Sequence, residues 1–320
     1  MNRRAALTAA AGAAGLAFRG RAFAGEGRPL RMIVPQGPGG AADLMARMLA
    51  DSLSRSLARP VVVDNRPGAG TIVGTQAVAL AAPDGNTFGI VFSPHAVNQA
   101  LRRQMPYSVF TDFEPVCLGG YSVVVLVAHP ALAVDDVAQL VALARRSDPP
   151  LQYASLGIGS VSHLAGELFG IEAGVPLQHV PYNGSAPIYR ALAGGQIQLA
   201  FVTLESALPH LRAQRLKALG VTNARRVARH LQIPAIAETL PGFELVGFFG
   251  FVAPAGAPAG FIDRLSTEIA RALQAPGLRS RLADDGVIVD FAPPVAFAHF
   301  LRQQIEKYAA LSRRTGIKLD

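Results

Sequence analysis

Apolar and polar residues alternate along this chain in blocks. Leu30–Val34 is a short, nearly continuous apolar run, the pattern of a strand buried on both faces. Pro35–Gly40 breaks it with a proline-glycine loop. Ala41–Leu57 then places Leu44, Met45, Met48, Leu49, Leu53 and Leu57 on one helical face, with Asp43, Arg47, Asp51 and Arg55 elsewhere. The grammar recurs: PVVVDN (60–65) reads as strand, RPGAG (66–70) as loop and TIVGTQAVALA (71–81) as helix. A turn and strand follow at 84–93. Such alternation predicts parallel strands with helices on both faces of a sheet.

A second series opens with the strand-like SVVVLVAHP (122–130). The helix predicted at 134–146 starts with acids and ends with bases, matching its dipole. LQYASL, LQHVPY, IQLAFVT and LKALGVT read as further strands, with HLAGELFGIEAG and IYRALAGG as helices between them. FELVGFFGFVAP (243–254) reads as a long strand, and helices at 259–274, 276–284 and 294–315 finish the chain. Two long apolar strands near 122–130 and 243–254 suggest that the chain leaves a first lobe and later returns to it. The expected division is 25–123 with 248–320 as lobe 1 and 124–247 as lobe 2, hinged about a cleft. In open α/β sheets, ligands sit beyond the carboxyl ends of the strands.

The N-terminus changes this picture only at its edge. Arg3 and Arg4 precede a short Ala/Leu-rich run, and Ala22-Phe23-Ala24 has the small-x-small form of a cleavage site. Residues 1–24 are therefore expected to be a secretory signal peptide, the Arg pair pointing to twin-arginine export. The whole chain carries a formal charge of +8. Without the leader's four arginines (Arg3, Arg4, Arg19, Arg21) and no acids, this falls to +4. With no Trp and no cluster of Lys or Arg, nucleic acid is a poor partner. Cys117, the single cysteine, sits among apolar neighbours and allows no intramolecular disulfide.

The candidate chemistry lies in the loops. Gln36, Gly37, Pro38, Gly39 and Gly40 lead directly into a helix N-terminus, where unpaired N–H groups and the dipole favour an anion. The run has neither the order of a P-loop nor that of a dinucleotide fingerprint, so a small carboxylate fits better than a polyphosphate. Gly157, Gly159 and Ser160 form a second such loop, Ser160 being placed as helix cap or ligand donor. Tyr182 and Asn183, in VPYNGSAP, and Ser93 and His95, in FSPHAVNQA, lie at two further strand ends.

Enzymatic readings fare less well. A hydrolase using Ser160 and His163 remains an alternative, but GIGSVS (157–162) misses the GxSxG spacing, and no acid is evidently placed to orient His163. His163 and Glu167 are one helical turn apart and lack a third metal ligand. No cofactor is expected.

Taken together and in order, IVPQGPGGAADLMAR, VVVDNRPGAGTIVG, AAPDGNTFGI, MPYSVFTDFEPV, YASLGIGSVSHLAGELF, HVPYNGSAP, ALAGGQIQLAF, SALPHL and FFGFVAPAGAP resemble the extracytoplasmic solute receptors of tripartite tricarboxylate transporters, often called Bug proteins. The resemblance spans Pro29 to about Ile317. It implies a type II periplasmic binding-protein fold: two α/β lobes with mostly parallel sheets around a central cleft. It also implies capture of a small carboxylate, such as a di- or tricarboxylate or related organic acid. Delivery would be to integral-membrane permease subunits, by a monomer working in the periplasm. A role as ligand-binding partner of a sensor kinase is the alternative within the same fold. The family holds its carboxylate with backbone N–H groups, hydroxyls and water, which implies that Gly39, Gly40, Gly159 and Ser160 do so here. Gln36, Ser93, His95, Tyr182, Asn183 and Thr203 would then shape the rest of the pocket.

Two departures from the family pattern stand out. Gln36 occupies a position where the family usually carries an aromatic residue. Val202-Thr203 stands where the family often has Asp-Asn. Without that Asp, the chain is expected to disfavour amino acids and to prefer a carboxylate lacking a charged amine. The low aromatic content tilts the expectation toward aliphatic acids.

Overall fold

Residues 28–39 and 41–319 are described by the computed structural model; the expected leader at 1–24 and Gly40 lie outside them. Strand β1 (Leu30–Val34) begins where its apolar run begins, and Met32, Ile33 and Val34 are fully buried. Helix α1 (Ala41–Ser56) lays Met45, Leu49 and Leu53 on the sheet. Strand β2 (Val61–Asn65), helix α2 (Ile72–Ala79), strand β3 (Thr87–Phe92) and helix α3 (Pro94–Leu101) repeat the unit. β1 lies between β2 and β3, parallel to both.

The chain then runs through β4 (Phe113–Ser122) and, after the single residue Val123, into β5 (Val124–Ala128). A second sheet is built from β5 together with β6 (Leu151–Ser155), β7 (Leu177–Pro181), β8 (Leu199–Thr203) and β9 (Lys217–Val221), in the order β7-β6-β8-β5-β9. Helices α4 (Val137–Ala144), α5 (Val161–Ala173), α6 (Ser185–Ala193) and α7 (Leu204–Arg212) connect them. Strand β10 (Gly247–Pro254) carries the chain back, and α8 (Ala259–Gln274), α9 (Pro276–Asp284), β11 (Val287–Ala292) and α10 (Pro294–Thr315) follow. The first sheet is thereby completed in the order β11-β4-β10-β3-β1-β2.

Both sheets are mixed, where the sequence reading expects mostly parallel ones. The βα units pair in parallel, because a helix returns the chain to the same end of the sheet. The crossing strands do not: β10 is antiparallel to β3 and β4, and β5 to β8 and β9. The two crossings lie side by side, with Gly247 of β10 opposite Ser122 of β4. Helix α10 packs on α3, β4 and α5, and Arg314 reaches Glu172 of α5 at 2.7 Å. Helix α10 thus bridges the first sheet and a helix that covers the second.

His95 sits in the core of this arrangement, fully buried. Its ring lies 5.1 Å from Phe113, edge-on, and 6.0 Å from Tyr107. Burial pushes its pKa down to about 3. His163 and His179, stacked at 3.9 Å, are likewise pushed down by burial to about 4. In the unfolded chain each imidazole protonates near its ordinary value of 6.5. Between pH 6.5 and 4 the unfolded state therefore binds more protons, and stability falls as pH falls. Glu205, whose carboxyl is raised to about 7, works in the opposite direction but is one group against three. The melting temperature is expected to drop steadily from pH 7 to pH 4.5. His95→Phe should flatten that slope by about one proton's share; an unchanged slope would show that His95 protonates equally in both states.

Candidate functional site

A cleft of ≈ 510 Å³ opens where the two sheets meet. Its floor is the crossing itself: Ser122, Val124, Gly247, Phe248 and Phe249. Met45 and Met48 of α1 form an apolar wall on one side, and the first turns of α5, α6 and α7 project Ser160, Ser162, Ser185, Glu205 and Ser206 from the other. The mixture of apolar walls and a few convergent polar groups is that of a small-molecule site.

The α5 end carries the strongest anion chemistry. Ser160 caps the helix, its Oγ accepting from the N–H of His163 at 3.2 Å and donating to the Gly157 carbonyl at 2.6 Å. The loop N–H groups are already committed. That of Gly157 donates to Ser155 Oγ, that of Gly159 to His163 Nδ1 and that of Ser160 to the Gly157 carbonyl. What remains without an acceptor among the described residues is the N–H of Val161 and of Ser162, the first two of the helix. The donors for an anion here are therefore the N–H groups that follow Ser160; the Ser160 and Ser162 hydroxyls beside them lie 2.9 Å apart, and the Ser160 proton must turn from the Gly157 carbonyl before it can join them. Gly159 has φ +77°, and a side chain on it would press within 2.5 Å of Leu319, so the tight turn demands glycine.

Opposite, the β1–α1 loop is held open by Asp43. The carboxylate of Asp43 accepts from the Gly39 N–H at 3.0 Å and from Arg47 Nε at 2.9 Å. These bonds hold it down to about 2, Arg47 contributing most. Gln36 is exposed at the cleft, and its carbonyl accepts from Asn65 Nδ2. Gly37, Pro38 and Gly39 continue the loop beyond the cleft lining, and Gly40 lies outside the described residues.

Among the other candidates, Thr203 and Ser93 reach the cleft. Ser93 is buried, its Oγ accepting from the Phe248 N–H at 2.8 Å, so it ties β3 to the returning strand. His95 faces the core behind it. Tyr182 is half-buried beside Gly157, and Asn183 is exposed; neither lines the cleft. Ser160 Oγ has no bond to the His163 ring, whose Nδ1 is taken by Gly159 and whose Nε2 lies 3.8 Å from Glu167. That is not a nucleophile–base pair. Among the described residues, no three His, Cys, Asp or Glu side chains gather to hold a metal.

Glu205 is the residue the sequence reading missed. It stands in the first turn of α7, lining the cleft. Burial, reinforced by the negative charge of Asp285, raises its carboxyl to about 7. Val202, three residues before it, is fully buried in the second sheet's core and faces away from the cleft. The only signal was periodic: Thr203 and Ser206 bracket Glu205 at the N-terminus of α7.

Two sheets crossed twice by the chain, with a cleft of apolar walls and a few convergent polar groups at the crossing, define a two-lobed solute-binding receptor. The model of the tripartite tricarboxylate transporter family receptor matches residues 45–317, and the chain belongs to that family. Protein BugT of Bordetella pertussis is 36% identical over 295 residues, covering 91% of this chain and 90% of BugT. A protein of R. palustris solved with adipate superposes with a TM-score of 0.83 at 33% identity, covering 91% of this chain and 98% of that one. MatC of Rhodopseudomonas palustris, with bound malate, superposes at 0.77 with 29% identity, covering 89% and 98%. The fold is that of the periplasmic binding proteins, and membership implies a periplasmic location. The family's members are substrate-binding receptors, not enzymes.

Proposed function

We propose that this protein captures a small carboxylate between its lobes and delivers it to integral-membrane permease subunits. The observation that carries the reading is the α5 terminus: two N–H groups with no acceptor among the described residues, beside two serine side chains that line the same cleft. Hydrogen bonds to a charged group contribute about 1.5–3 kcal/mol each, so such donors suffice. The adipate and malate in the related structures support the same class of ligand. The lobes would be 25–123 with 248–320, and 124–247, hinged at the crossings beside Val123 and Gly247. Closure would be selected by a ligand touching both. The leader at 1–24 would direct export.

The test is a thermal-melt panel of ligand-stripped protein lacking residues 1–24, with di- and tricarboxylates, aromatic carboxylates, amino acids, sugars and nucleotides. A ligand at 100 times its Kd adds about 2.7 kcal/mol and raises the melting temperature clearly. A response confined to carboxylates is expected. A response to sugars or nucleotides alone would refute the reading.

A further inference from the structure

The α7 side of the cleft presents an unusual problem. Glu205 is part-buried in the cleft wall, yet no hydrogen bond to its carboxyl forms among the described residues. The hydroxyls nearest in sequence are occupied elsewhere: Thr203 Oγ1 donates to Ser206 Oγ at 2.9 Å, Ser206 Oγ donates to the Thr203 carbonyl at 2.9 Å, and Tyr189 OH meets Ser206 Oγ at 2.7 Å. Arg281, the one cation among the described residues that line the cleft, is bound to Asp285 at 3.0 Å. Asp285 itself adds a like charge near Glu205. A carboxyl drawn part-way out of water without a protein partner gains most from a donor that closes over it. The missing partner is therefore sought in the ligand.

We infer that Glu205 sets the specificity of the cleft by accepting a hydrogen bond from the end of the ligand remote from its carboxylate, so that the preferred ligand carries an ammonium there, or failing that a hydroxyl. This rests on the reading of α5 as the carboxylate end and narrows it. A cleft whose charged side chains sum to Glu205, Asp285 and Arg281 carries one net negative charge when all are ionised. A dicarboxylate would set a second carboxylate against it, whereas an ω-amino acid would neutralise it. The inference reverses the preference expected from Val202, whose side chain lies in the core while Glu205, three residues on, lines the cleft.

Six probes decide it: 4-aminobutyrate, 4-hydroxybutyrate and succinate, and the longer 6-aminohexanoate, 6-hydroxyhexanoate and adipate. Each would be titrated calorimetrically at pH 8 into ligand-stripped wild type and Glu205→Gln. The expected wild-type order at the favoured length is amine, then alcohol, then dicarboxylate, with at least tenfold between the extremes. Glu205→Gln is nearly isosteric; it should abolish or invert that order while melting no lower than wild type. A dicarboxylate binding wild type more tightly than its matched amine would overturn the role of Glu205 and leave the carboxylate reading intact. So would an order unchanged in Glu205→Gln. Failure of all six to bind wild type would overturn the carboxylate reading and the assignment built on it.

Discussion

Ser160→Ala is expected to weaken carboxylate binding about 10- to 150-fold, the equivalent of one hydrogen bond of about 1.5–3 kcal/mol to a charged group. The hydroxyl has two tasks. It caps α5 through the His163 N–H, and its single proton, directed at the Gly157 carbonyl, can turn to a carboxylate bound at the N–H groups of Val161 and Ser162, which have no acceptor among the described residues. The capping loss alone costs about 1 kcal/mol of stability and leaves a folded protein. Ser160→Thr keeps both functions and provides the control. Calorimetry with the best carboxylate of the melt panel would separate them. A Ser160→Ala protein that melts slightly lower but binds within twofold of wild type would limit Ser160 to the cap. The anion would then be held by Val161 and Ser162 alone.

The same loop shows what the sequence could and could not convey. Strand, glycine turn and helix around 155–173 follow from local rules: an apolar run, Gly at positive φ, Ser at the cap. The role of each N–H does not. That Gly159 donates to His163 rather than to a ligand depends on a ring four residues later and on its tautomer. His95 illustrates the converse. A Ser-Pro-His sequence after a strand looks like a pocket lip, but the second residue of α3 points inward, between Tyr107 and Phe113.

Two strands were illegible for a common reason. β4 contains Pro115, Gly119 and Gly120, and its pairing with β10 is shifted twice, so neither alternation nor a continuous apolar run is present. β11 is only six residues long and half-buried at the sheet's edge. Each exists because a neighbouring strand needs a partner, which is tertiary information. Glu205 belongs in this category too. An acid in the first turn of a helix ordinarily reads as dipole complement. Its burial in a cleft, opposite Asp285 of a segment eighty residues later, is visible only once the two lobes are assembled.

Gly74→Ala should displace the β1–α1 loop from beneath. Gly74 lies in α2 where the helix meets the end of β1. A methyl there would fall 2.6 Å from Pro35 Cα and 2.6 Å from the Arg66 carbonyl oxygen. Those are backbone atoms, so no rotamer relieves the contact. In an isolated helix, Ala would be favoured over Gly by about 1 kcal/mol. Here overpacking outweighs that gain, and a net loss of about 3 kcal/mol is expected, at the upper end of the range for added methyl groups. The effect should reach function through one residue. Pro35 immediately precedes Gln36, and the Arg66 N–H holds the Val34 carbonyl at 2.8 Å, so a displaced α2 moves the loop opposite Ser160. The expected result is a melting temperature lowered by several degrees together with weaker ligand binding. Leu80→Ala, on the exposed turn after the same helix, should do neither. Equal melting of Gly74→Ala and wild type would mean that α2 can retreat from β1 without cost. The close seat between helix and strand would then not be what fixes the loop.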